Sequence, residues 1–310
     1  RKRMTERKDV CIIGLGPAGV SAAVYLKRYG MNPVCFEKEN VGGKVNKTER
    51  VENYPGVLSL SGMKLGSDFE NQLGDFSIHP IYKEVKSLFL NPDGTFHVIW
   101  PKGEGDFCYV VLANGLKERP FEVEGENLYQ RRGISSCAIC DGHFYRGKAV
   151  AVVGGGNSAF EEACYLATIC SHVTLIARRE EFRADKIVVE RFLSFPNTSI
   201  KAPYEIISSA GTNQIESLSI RNKKTHEEET LSLSGLFLYV GEIPQNSFVG
   251  IPNLLTADGF VKTDDLMQTN IKNLYAVGDV RDKKLRQIVT AANDGTIAAM
   301  MIHDDYMKNA

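Results

Sequence analysis

The sequence lacks a charge imbalance, and this absence excludes several classes of function. Its 37 lysine and arginine residues against 38 aspartate and glutamate residues give a formal net charge of −1, so the basic excess of a nucleic-acid-binding protein is missing. Apolar residues at 43% and charged residues at 24% are near the averages for soluble globular proteins, which argues against disordered and collagen-like chains. No solenoid repeat or low-complexity tract is present. We therefore expect a globular protein that does not bind nucleic acid.

The sequence also lacks an apolar stretch long enough to span a membrane. Its first apolar run covers only residues 10–13, far short of a transmembrane helix. The basic residues 1–8 have no apolar core of a signal peptide, and we interpret them as a solvated tail. Seven cysteines, an odd number, fit a reducing compartment better than a framework of disulfides. These features predict a cytoplasmic protein without a membrane segment.

Cysteine and histidine pairs at metal-binding spacing are missing as well, apart from one C-x-x-C segment. Cys137 and Cys140 form that segment, and a zinc site would need a second such pair or a Cys/His pair elsewhere. The other cysteines and the histidines are scattered singly. The sequence therefore favours a redox-active pair that closes a disulfide, with no metal. The pair lies just before a glycine-rich segment, which suggests electron transfer through sulfur beside a dinucleotide site.

The first of two glycine-rich segments has the pattern of a dinucleotide-binding loop. It follows an apolar strand pattern at residues 10–13 and begins a helical pattern at 18–29. Glycines permit a tight turn and let the backbone approach a pyrophosphate, which the helix N-terminus attracts. A second strand at 33–36 then delivers Glu37, an acidic residue suited to a ribose with free hydroxyls, as in FAD or NAD. The residues of the loop are Gly14, Gly16, Pro17, Ala18 and Gly19.

The second glycine-rich segment predicts a different nucleotide. It lies between a strand at 149–153 and a helix at 158–168, which a strand at 173–176 follows. Arginines stand where an acidic residue would bind a ribose, and guanidinium groups suit the 2′-phosphate of NADPH. The alternative is a solvated helix entry whose arginines pair with Glu180 and Glu181, but their place directly after the second strand of a βαβ unit favours the phosphate. The residues of this predicted site are Gly154, Gly156, Asn157, Ser158, Arg178, Arg179 and Arg183.

The order of these patterns predicts an α/β protein with two Rossmann-like, three-layer nucleotide-binding domains, one inserted into the other. Residues 1–116 and 245–310 would form the discontinuous domain and 117–244 the inserted one, with Pro120 and Pro244 at the polar junctions. Downstream, Gly278-Asp279 ends a further strand, and Asp279 either binds a ribitol hydroxyl or caps a turn.

Two further segments of the discontinuous domain have clear patterns. Residues 81–85 and 95–99 alternate around a turn at 91–94 and predict an antiparallel hairpin. Residues 288–306 predict a closing helix, in which small residues such as Ala291 and Ala298 permit close packing.

Together with Val51-Glu52-Asn53-Tyr54-Pro55-Gly56 and Arg286-Gln287, these motifs resemble those of low-molecular-weight thioredoxin reductases, in the same order and over almost the whole chain. The resemblance implies FAD in the discontinuous domain and NADPH in the inserted domain, which also carries the dithiol. It implies a homodimer that serves thioredoxin or a thioredoxin-like protein, in which a rotation of one domain brings dithiol and nicotinamide to the flavin in turn.

The resemblance also implies roles for individual residues. Cys140 would face the flavin, Cys137 would attack the disulfide of thioredoxin, and Asp141 would shuttle protons, although Asp141 is also explained as a turn residue before Gly142. Asn53 is explained nearly as well by a structural turn. The implied FAD site comprises Glu37, Gly42, Gly43, Asn53, Gly278, Asp279, Arg286 and Gln287. Arg132 and Phe144 would help to hold the protein substrate.

Other proteins with this fold have different functions, which are the alternatives for this chain. A dithiol oxidase resembles this chain in its FAD site and cysteine pair but typically lacks the NADPH fingerprint. Because the glycines and arginines of that fingerprint are present here, the oxidase is disfavoured. A reductase that takes electrons from ferredoxin or a deazaflavin is disfavoured for the same reason. A flavin-dependent sensor without enzymatic activity would leave the NADPH site without a use. The chain departs from the family pattern at Lys44, Asn114, Ala177 and Glu242.

Overall fold

The computed structural model describes residues 8–119, 129 and 132–309. Residues 1–7 of the predicted tail and Pro120 of the first junction lie outside the described residues. Contacts divide the chain into two compact units: the first contains the residues up to 46, 51–117 and those from 243 onward, and the second contains 47–50 and 118–242.

The first unit is built on a seven-stranded sheet with the order β3-β2-β1-β6-β5-β4, and β17 pairs with β6. Its strands are β1 (Lys8–Ile13), β2 (Val34–Glu37), β3 (Ile81–Tyr82), β4 (Ser87–Leu90), β5 (Phe96–Trp100), β6 (Gly103–Leu112) and β17 (Leu274–Ala276). Its helices are α1 (Pro17–Arg28), α2 (Gly62–Asp75) and α6 (Ile288–Asn309), with 3-10 turns at Gly43–Lys47 and Gly278–Val280. The short strands β7 (Leu116–Glu118) and β16 (Glu242–Pro244) pair where the chain passes between the units.

The predicted strand, turn and helix at the start of the first unit are confirmed. Cys11 and Ile12, which point to opposite faces of β1, are both fully buried, as expected for a strand covered on both faces. Helix α1 begins at Pro17, whose fixed φ suits the first helical position, and it packs against α6. The close approach depends on small residues, because a Cβ on Gly295 would lie 2.0 Å from the carbonyl oxygen of Ala18.

The predicted hairpin of the first unit is wrong in its first strand. The structure pairs β4 with β5 in antiparallel fashion, whereas residues 81–82 form β3 and pair in parallel with β2. The reason is the turn: the N–H of Asn91 donates to the carbonyl of Thr95 at 2.8 Å, and a turn this tight requires strands that flank it directly. The strand therefore begins at Ser87, closer to the turn than its apolar alternation indicated.

The second unit contains a five-stranded parallel sheet with the order β11-β10-β9-β15-β8 and an antiparallel three-stranded sheet with the order β12-β13-β14. The strands are β8 (Ile134–Ser135), β9 (Ala149–Val153), β10 (His172–Ile176), β11 (Thr198–Lys201), β12 (Tyr204–Ala210), β13 (Ser217–Asn222), β14 (Glu228–Ser232) and β15 (Gly235–Leu238). The helices are α3 (Ala138–Asp141), α4 (Asn157–Ile169) and α5 (Lys186–Leu193), and Gly142–Tyr145 form a 3-10 turn.

This parallel order places several loops at one edge. The carboxyl ends of parallel strands lie on the same side of a sheet, which is where ligands bind in open α/β folds. The loops after β8, β9, β10 and β15 carry the cysteine pair, the second glycine segment, the arginines and Tyr239 respectively. The α/β class predicted from the sequence is confirmed. Among the described residues, no helix combines the length and apolar character needed to cross a membrane.

Candidate redox and nucleotide sites

The glycine turn of the first unit is a tight backbone contact that side chains would block. Gly14 has φ +98°, and a Cβ there would lie 2.5 Å from the carbonyl oxygen of Ala113. A Cβ on Gly19 would lie 1.9 Å from the carbonyl oxygen of Gly14, so α1 contacts the turn backbone to backbone. Gly16 caps the helix with extended dihedrals and Pro17 opens it. The turn thus presents the N-terminus of α1 at the edge of the sheet, where its N–H groups attract anions.

We expect the substitution Gly19→Ala to remove most of the bound FAD. The added methyl group would push α1 away from the turn, because the atom it meets is rigid backbone. The measurement is the flavin absorbance per polypeptide after gel filtration, with a loss of at least roughly tenfold in FAD affinity expected from a misplacement worth about 1.4 kcal/mol or more. Gly74→Ala is the matched control, because its Cβ meets nothing within 4 Å; equal FAD content in both variants would contradict the assignment.

Glu37 ends β2 beside this turn and is only 7% exposed. Its Oε2 accepts the backbone N–H of Leu15 at 2.8 Å, and its Oε1 accepts the N–H of Glu39 at 2.9 Å. The carboxylate is therefore held rigidly against the glycine turn while retaining further acceptor capacity, since an ionised carboxylate has about four lone-pair sites. This position suits an acceptor for ribose hydroxyls.

Other residues of the predicted FAD site lie in the same unit. Gly42 and Gly43 both have positive φ, and the N–H of Gly42 donates to the carbonyl of Leu15 at 2.8 Å, which joins this loop to the glycine turn. The structure brings Asn53 and Gln287 together, with Nδ2 of Asn53 donating to Oε1 of Gln287 at 3.2 Å.

The Gly278-Asp279 segment forms a 3-10 turn after β17. The N–H of Gly278 donates to the buried carboxylate of Asp294 at 3.0 Å, and that carboxylate also pairs with Lys283 at 2.8 Å. Arg286 lies 4.6 Å from the ring centre of Phe260 and its Nε donates to the carbonyl of Asp279 at 3.3 Å. The side chains around the turn thus fix the position of Asp279 through its backbone.

The second unit has its own glycine turn after β9. Gly154 has φ +154°, and a Cβ there would lie 2.6 Å from the carbonyl oxygen of Tyr239. Gly156 caps α4, and Asn157 and Ser158 form its first turn. Asn157 exchanges hydrogen bonds with Asp185: its Nδ2 donates to the carboxylate at 2.9 Å, and its Oδ1 accepts the N–H at 2.6 Å. The loop after β10 is therefore tied to the start of α4.

The arginines after β10 are exposed and next to this turn. The backbone N–H of Arg183 donates to the carbonyl of Gly155 at 2.8 Å, which holds the arginine-bearing loop against the glycines. Glu180 pairs with Lys224 at 2.6 Å. One of the two glutamates that the solvated-helix interpretation assigned to the arginines is therefore bound to a lysine instead. The exposed residues of this loop include Arg178, Arg179 and Arg183.

Both turns fit a nucleotide. A Cβ on Gly156 would meet nothing within 4 Å, and one on Gly16 would meet only the Gly42 carbonyl oxygen at 4.0 Å, so a phosphate can approach the backbone N–H groups at each helix start. Beside the first turn, Oδ1 of Asn114 is buried and accepts no hydrogen bond from the described residues. A ligand with hydrogen-bond donors, such as FAD, fits this arrangement.

Cys137 and Cys140 form a disulfide with a Cα–Cα distance of 5.3 Å. Cys137 caps α3, and its Sγ accepts the N–H of Cys140 at 3.3 Å. A sulfur at a helix N-terminus is stabilised as a thiolate. Elsewhere in the second unit, burial raises the pKa of Cys164 and of Cys170 to about 11, so these two remain thiols near neutral pH. The cysteine pair is thus the reactive sulfur of this unit.

Two residues that the sequence motifs did not reveal hold this disulfide in place. Ser135, at the end of β8, donates its hydroxyl to Oδ2 of Asp141 at 2.7 Å and accepts the N–H of Cys137 at 3.0 Å. Tyr239, after β15, accepts the N–H of Ala138 at 3.0 Å through its hydroxyl oxygen. Asp141 is therefore oriented by a specific partner, one turn of chain away from Cys137.

The structure also places the two residues expected to hold a protein substrate. Phe144 lies in the 3-10 turn directly after α3, and its side chain is 62% exposed and rests against His143. Arg132 is exposed before β8. Both belong to the chain segments that flank the disulfide in sequence, and exposed aromatic residues and arginines are enriched in protein contact surfaces.

Comparisons with known proteins find relatives over almost the whole chain. A family model described as pyridine nucleotide-disulphide oxidoreductase matches residues 8–295. The thioredoxin reductase of Ureaplasma parvum is 38% identical over 309 residues, with 97% of each chain covered, and that of Bacillus subtilis is 36% identical, with 96% of this chain and 95% of the relative covered. The crystal structure of thioredoxin reductase from Lactococcus lactis superposes with a TM-score of 0.94 at 35% identity and covers 97% of this chain and 100% of that chain. The similarity therefore includes both glycine turns and the cysteine pair.

Proposed function

This chain belongs to the pyridine nucleotide-disulphide oxidoreductase family, and from that premise we propose that it passes electrons from NADPH to the disulfide of a thioredoxin. It is an FAD- and NADPH-dependent enzyme of the thioredoxin reductase type. The observation that carries the proposal is the Cys137–Cys140 disulfide, which lies at the same sheet edge as the second glycine turn and its arginines. A redox-active dithiol beside a dinucleotide site has a direct use in disulfide reduction.

We assign FAD to residues 1–116 and 245–310 and NADPH to residues 117–244. Bound FAD would supply two-electron chemistry between NADPH and the protein disulfide. The glycine turn with Glu37 would hold the adenosine part of FAD, and Asn53, Asp279, Arg286 and Gln287 would hold the rest. Arg178, Arg179 and Arg183 would hold the 2′-phosphate of NADPH, and the start of α4 would bind its pyrophosphate.

The dithiol chemistry follows from the positions of its side chains. Two electrons and two protons convert the Cys137–Cys140 disulfide into two thiols. The Cys137 thiol then passes its proton to Asp141, and the resulting thiolate attacks a sulfur of the substrate disulfide, which breaks that S–S bond, forms a mixed disulfide and releases one substrate thiolate. Asp141, held by Ser135, donates the proton that this leaving thiolate needs. Attack by Cys140 on the mixed disulfide releases the second substrate thiol and restores the protein disulfide.

The remaining parts of the proposal concern partners and movement. Phe144 and Arg132 contact the thioredoxin or thioredoxin-like substrate. The paired strands β7 and β16 act as the hinge of a rotation that brings dithiol and nicotinamide to the flavin in turn. The chain works as a homodimer in the cytoplasm, which the family resemblance and the odd number of cysteines support.

We expect Asp141→Asn to slow thioredoxin reduction without slowing flavin reduction by NADPH. The amide keeps the hydrogen bond to Ser135 but has no acidic proton, so the leaving thiolate departs unprotonated, and a loss of about 10²-fold is in the range of general acid catalysis. Rapid-mixing rates of the two steps make the comparison. Ser135→Ala keeps the carboxyl group of Asp141 but removes the hydroxyl that orients it and that accepts the N–H of Cys137, and it should cost at least roughly fivefold, the worth of one hydrogen bond. Equal slowing of both steps in Asp141→Asn would rule out the proton role.

The function as a whole is tested by measuring how many thiols are formed for each NADPH consumed. With NADPH and oxidised thioredoxin, the enzyme should form two thiols for each NADPH consumed and should use no oxygen. Oxygen consumption driven by a small dithiol, without NADPH, would instead identify a dithiol oxidase.

A further inference from the structure

We propose that Glu162 is a positioning residue for the Cys137–Cys140 dithiol: its side chain anchors the first turn of α3 from the interior, and its charge state sets the reactivity of the Cys137 thiolate. The inference rests on the proposed function, because it concerns the same dithiol. No step of the reaction above uses Glu162.

Glu162 occupies a place in α4 that an apolar residue would normally take. Its side chain is in the buried stripe of the helix with Ala159, Ala163 and Leu166 and is only 4% exposed, and this spacing is that of a core-facing helix surface. Its Oε2 is buried and accepts no hydrogen bond from the described residues. Burial of a carboxyl group is costly unless it has partners, so the groups that surround Glu162 determine what it can do here.

The partners of Glu162 lead directly to the redox helix. The backbone N–H of Ile139 and the hydroxyl of Tyr239 are near enough to this carboxyl group to lower its pKa through hydrogen bonding. The same hydroxyl oxygen accepts the N–H of Ala138 at 3.0 Å. The next N–H, that of Cys140, donates to Sγ of Cys137 at 3.3 Å. Glu162 and Tyr239 therefore hold the first two amides of α3, and the sulfur holds the third.

The environment of Glu162 places its ionisation in a useful range. Burial, followed by the nearby carboxylates of Glu161 and Glu49, raises the pKa of Glu162 to about 8, although the hydrogen bonds from Ile139 and Tyr239 oppose the rise. The group is thus mostly neutral at pH 7 and mostly charged above pH 8 to 9. The other charged groups around this network are Asp141 and Glu118 beside Tyr239, and Arg50 and Arg191 beside Glu49.

Ionisation of Glu162 changes the electrostatic potential that the N-terminus of α3 exerts on the sulfur of Cys137. An uncharged carboxyl group leaves the positive potential of the helix N-terminus to the Cys137 thiolate. A carboxylate at Ile139 N–H opposes that potential with a negative charge, so it raises the pKa of the Cys137 thiol, and the thiolate raises the pKa of Glu162 in return. The two groups therefore titrate as a coupled pair with two apparent values. This coupling moderates the rise in thiolate as the pH increases.

The test is the pH profile of Cys137 alkylation in the FAD-loaded enzyme. Reduction with dithiothreitol and anaerobic desalting prepare the dithiol without NADPH, and iodoacetamide labelling from about pH 6 to about pH 10, read by mass spectrometry at Cys137, reports the thiolate. Wild-type enzyme should show two inflections. Glu162→Gln, which keeps the size and one acceptor but cannot ionise, should show one, with up to roughly tenfold more thiolate at pH values where the wild-type thiol is still mostly protonated.

Glu190→Gln is the matched control, because it removes an exposed carboxylate of the same unit that forms a surface ion pair with Lys186. It should retain the two inflections. A single wild-type inflection, a wild-type profile in Glu162→Gln, or the same change in Glu190→Gln would each overturn the proposal.

A second variant covers the case in which Glu162→Gln does not fold. Tyr239→Phe removes the donor that favours the Glu162 carboxylate, so the inflection that belongs to Glu162 should move to higher pH; an unchanged profile overturns the proposal. Failure of the proposed function would give a different result. If that function were wrong, NADPH would not reduce the disulfide, but the alkylation profile, which needs no NADPH, would still depend on Glu162.

Discussion

Replacing Cys140 by serine should abolish thioredoxin reduction while NADPH still reduces the flavin. The serine hydroxyl cannot form the disulfide seen between Cys137 and Cys140, and it cannot resolve a mixed disulfide, because a neutral hydroxyl is no substitute for a thiolate. Thiol production should fall by more than about 10³-fold, and Cys137→Ser and the double variant should lose about as much, because residues that act as a unit are not additive.

Rapid-mixing absorbance separates the two half-reactions in these variants. Cys108→Ser is the control, since Cys108 is a partly exposed cysteine outside the disulfide, and it should retain thioredoxin reduction. A Cys140→Ser enzyme that still produces thiols at the wild-type rate would show that electrons reach thioredoxin by another route. Loss of flavin reduction in the same variant would show a structural defect instead.

The combined substitution of Arg178 and Arg179 by alanine should raise the KM for NADPH by roughly 10²-fold and leave the KM for NADH nearly unchanged. Both side chains are exposed on the loop whose backbone is bound to the second glycine turn through Arg183 and Gly155. A charge-assisted hydrogen bond to phosphate is worth about 1.5–3 kcal/mol, and two of them at the low end of this range, as suits exposed side chains, give about 10²-fold. NADH has no 2′-phosphate, so it does not make these contacts and its KM should not depend on them.

The discriminating quantity is the ratio of the two KM values. Lys186→Ala removes a cation that is exposed on α5 and pairs with Glu190, so it controls for general changes in surface charge and should leave the ratio unchanged. An equal rise in KM for both nucleotides after the arginine substitutions would place the arginines outside the phosphate site.

Local patterns predicted the elements that position the sites. The strand at residues 149–153 and the starts of α1 and α6 agree with the structure to within one residue, because glycine turns and apolar runs determine them locally. The hairpin error has a local origin too. Residues 81–85 alternate in the way a strand does, but the hydrogen bond between Asn91 and Thr95 in the turn defines where the paired strand begins.

The partners of the disulfide could not be predicted in the same way. Tyr239 and Ala138 are 101 residues apart in sequence and meet because β15 and β8 are neighbours in the parallel sheet. Ser135 reaches Asp141 only because a short helix turns back over the end of β8. Glu162 did leave a signal, since an acidic residue interrupts the apolar stripe of α4, but the stripe does not reveal what the carboxyl group contacts.

The central claim is the electron path from NADPH through the flavin and the Cys137–Cys140 pair to thioredoxin. Anaerobic stopped-flow mixing of the FAD-loaded enzyme with NADPH, and separately with NADH, followed by oxidised thioredoxin, tests it most directly. We expect rapid bleaching of the flavin by NADPH, slower bleaching by NADH, and reoxidation by thioredoxin. A flavin that neither nucleotide reduces but that a small dithiol does reduce would show that electrons run the other way, and it would contradict the account.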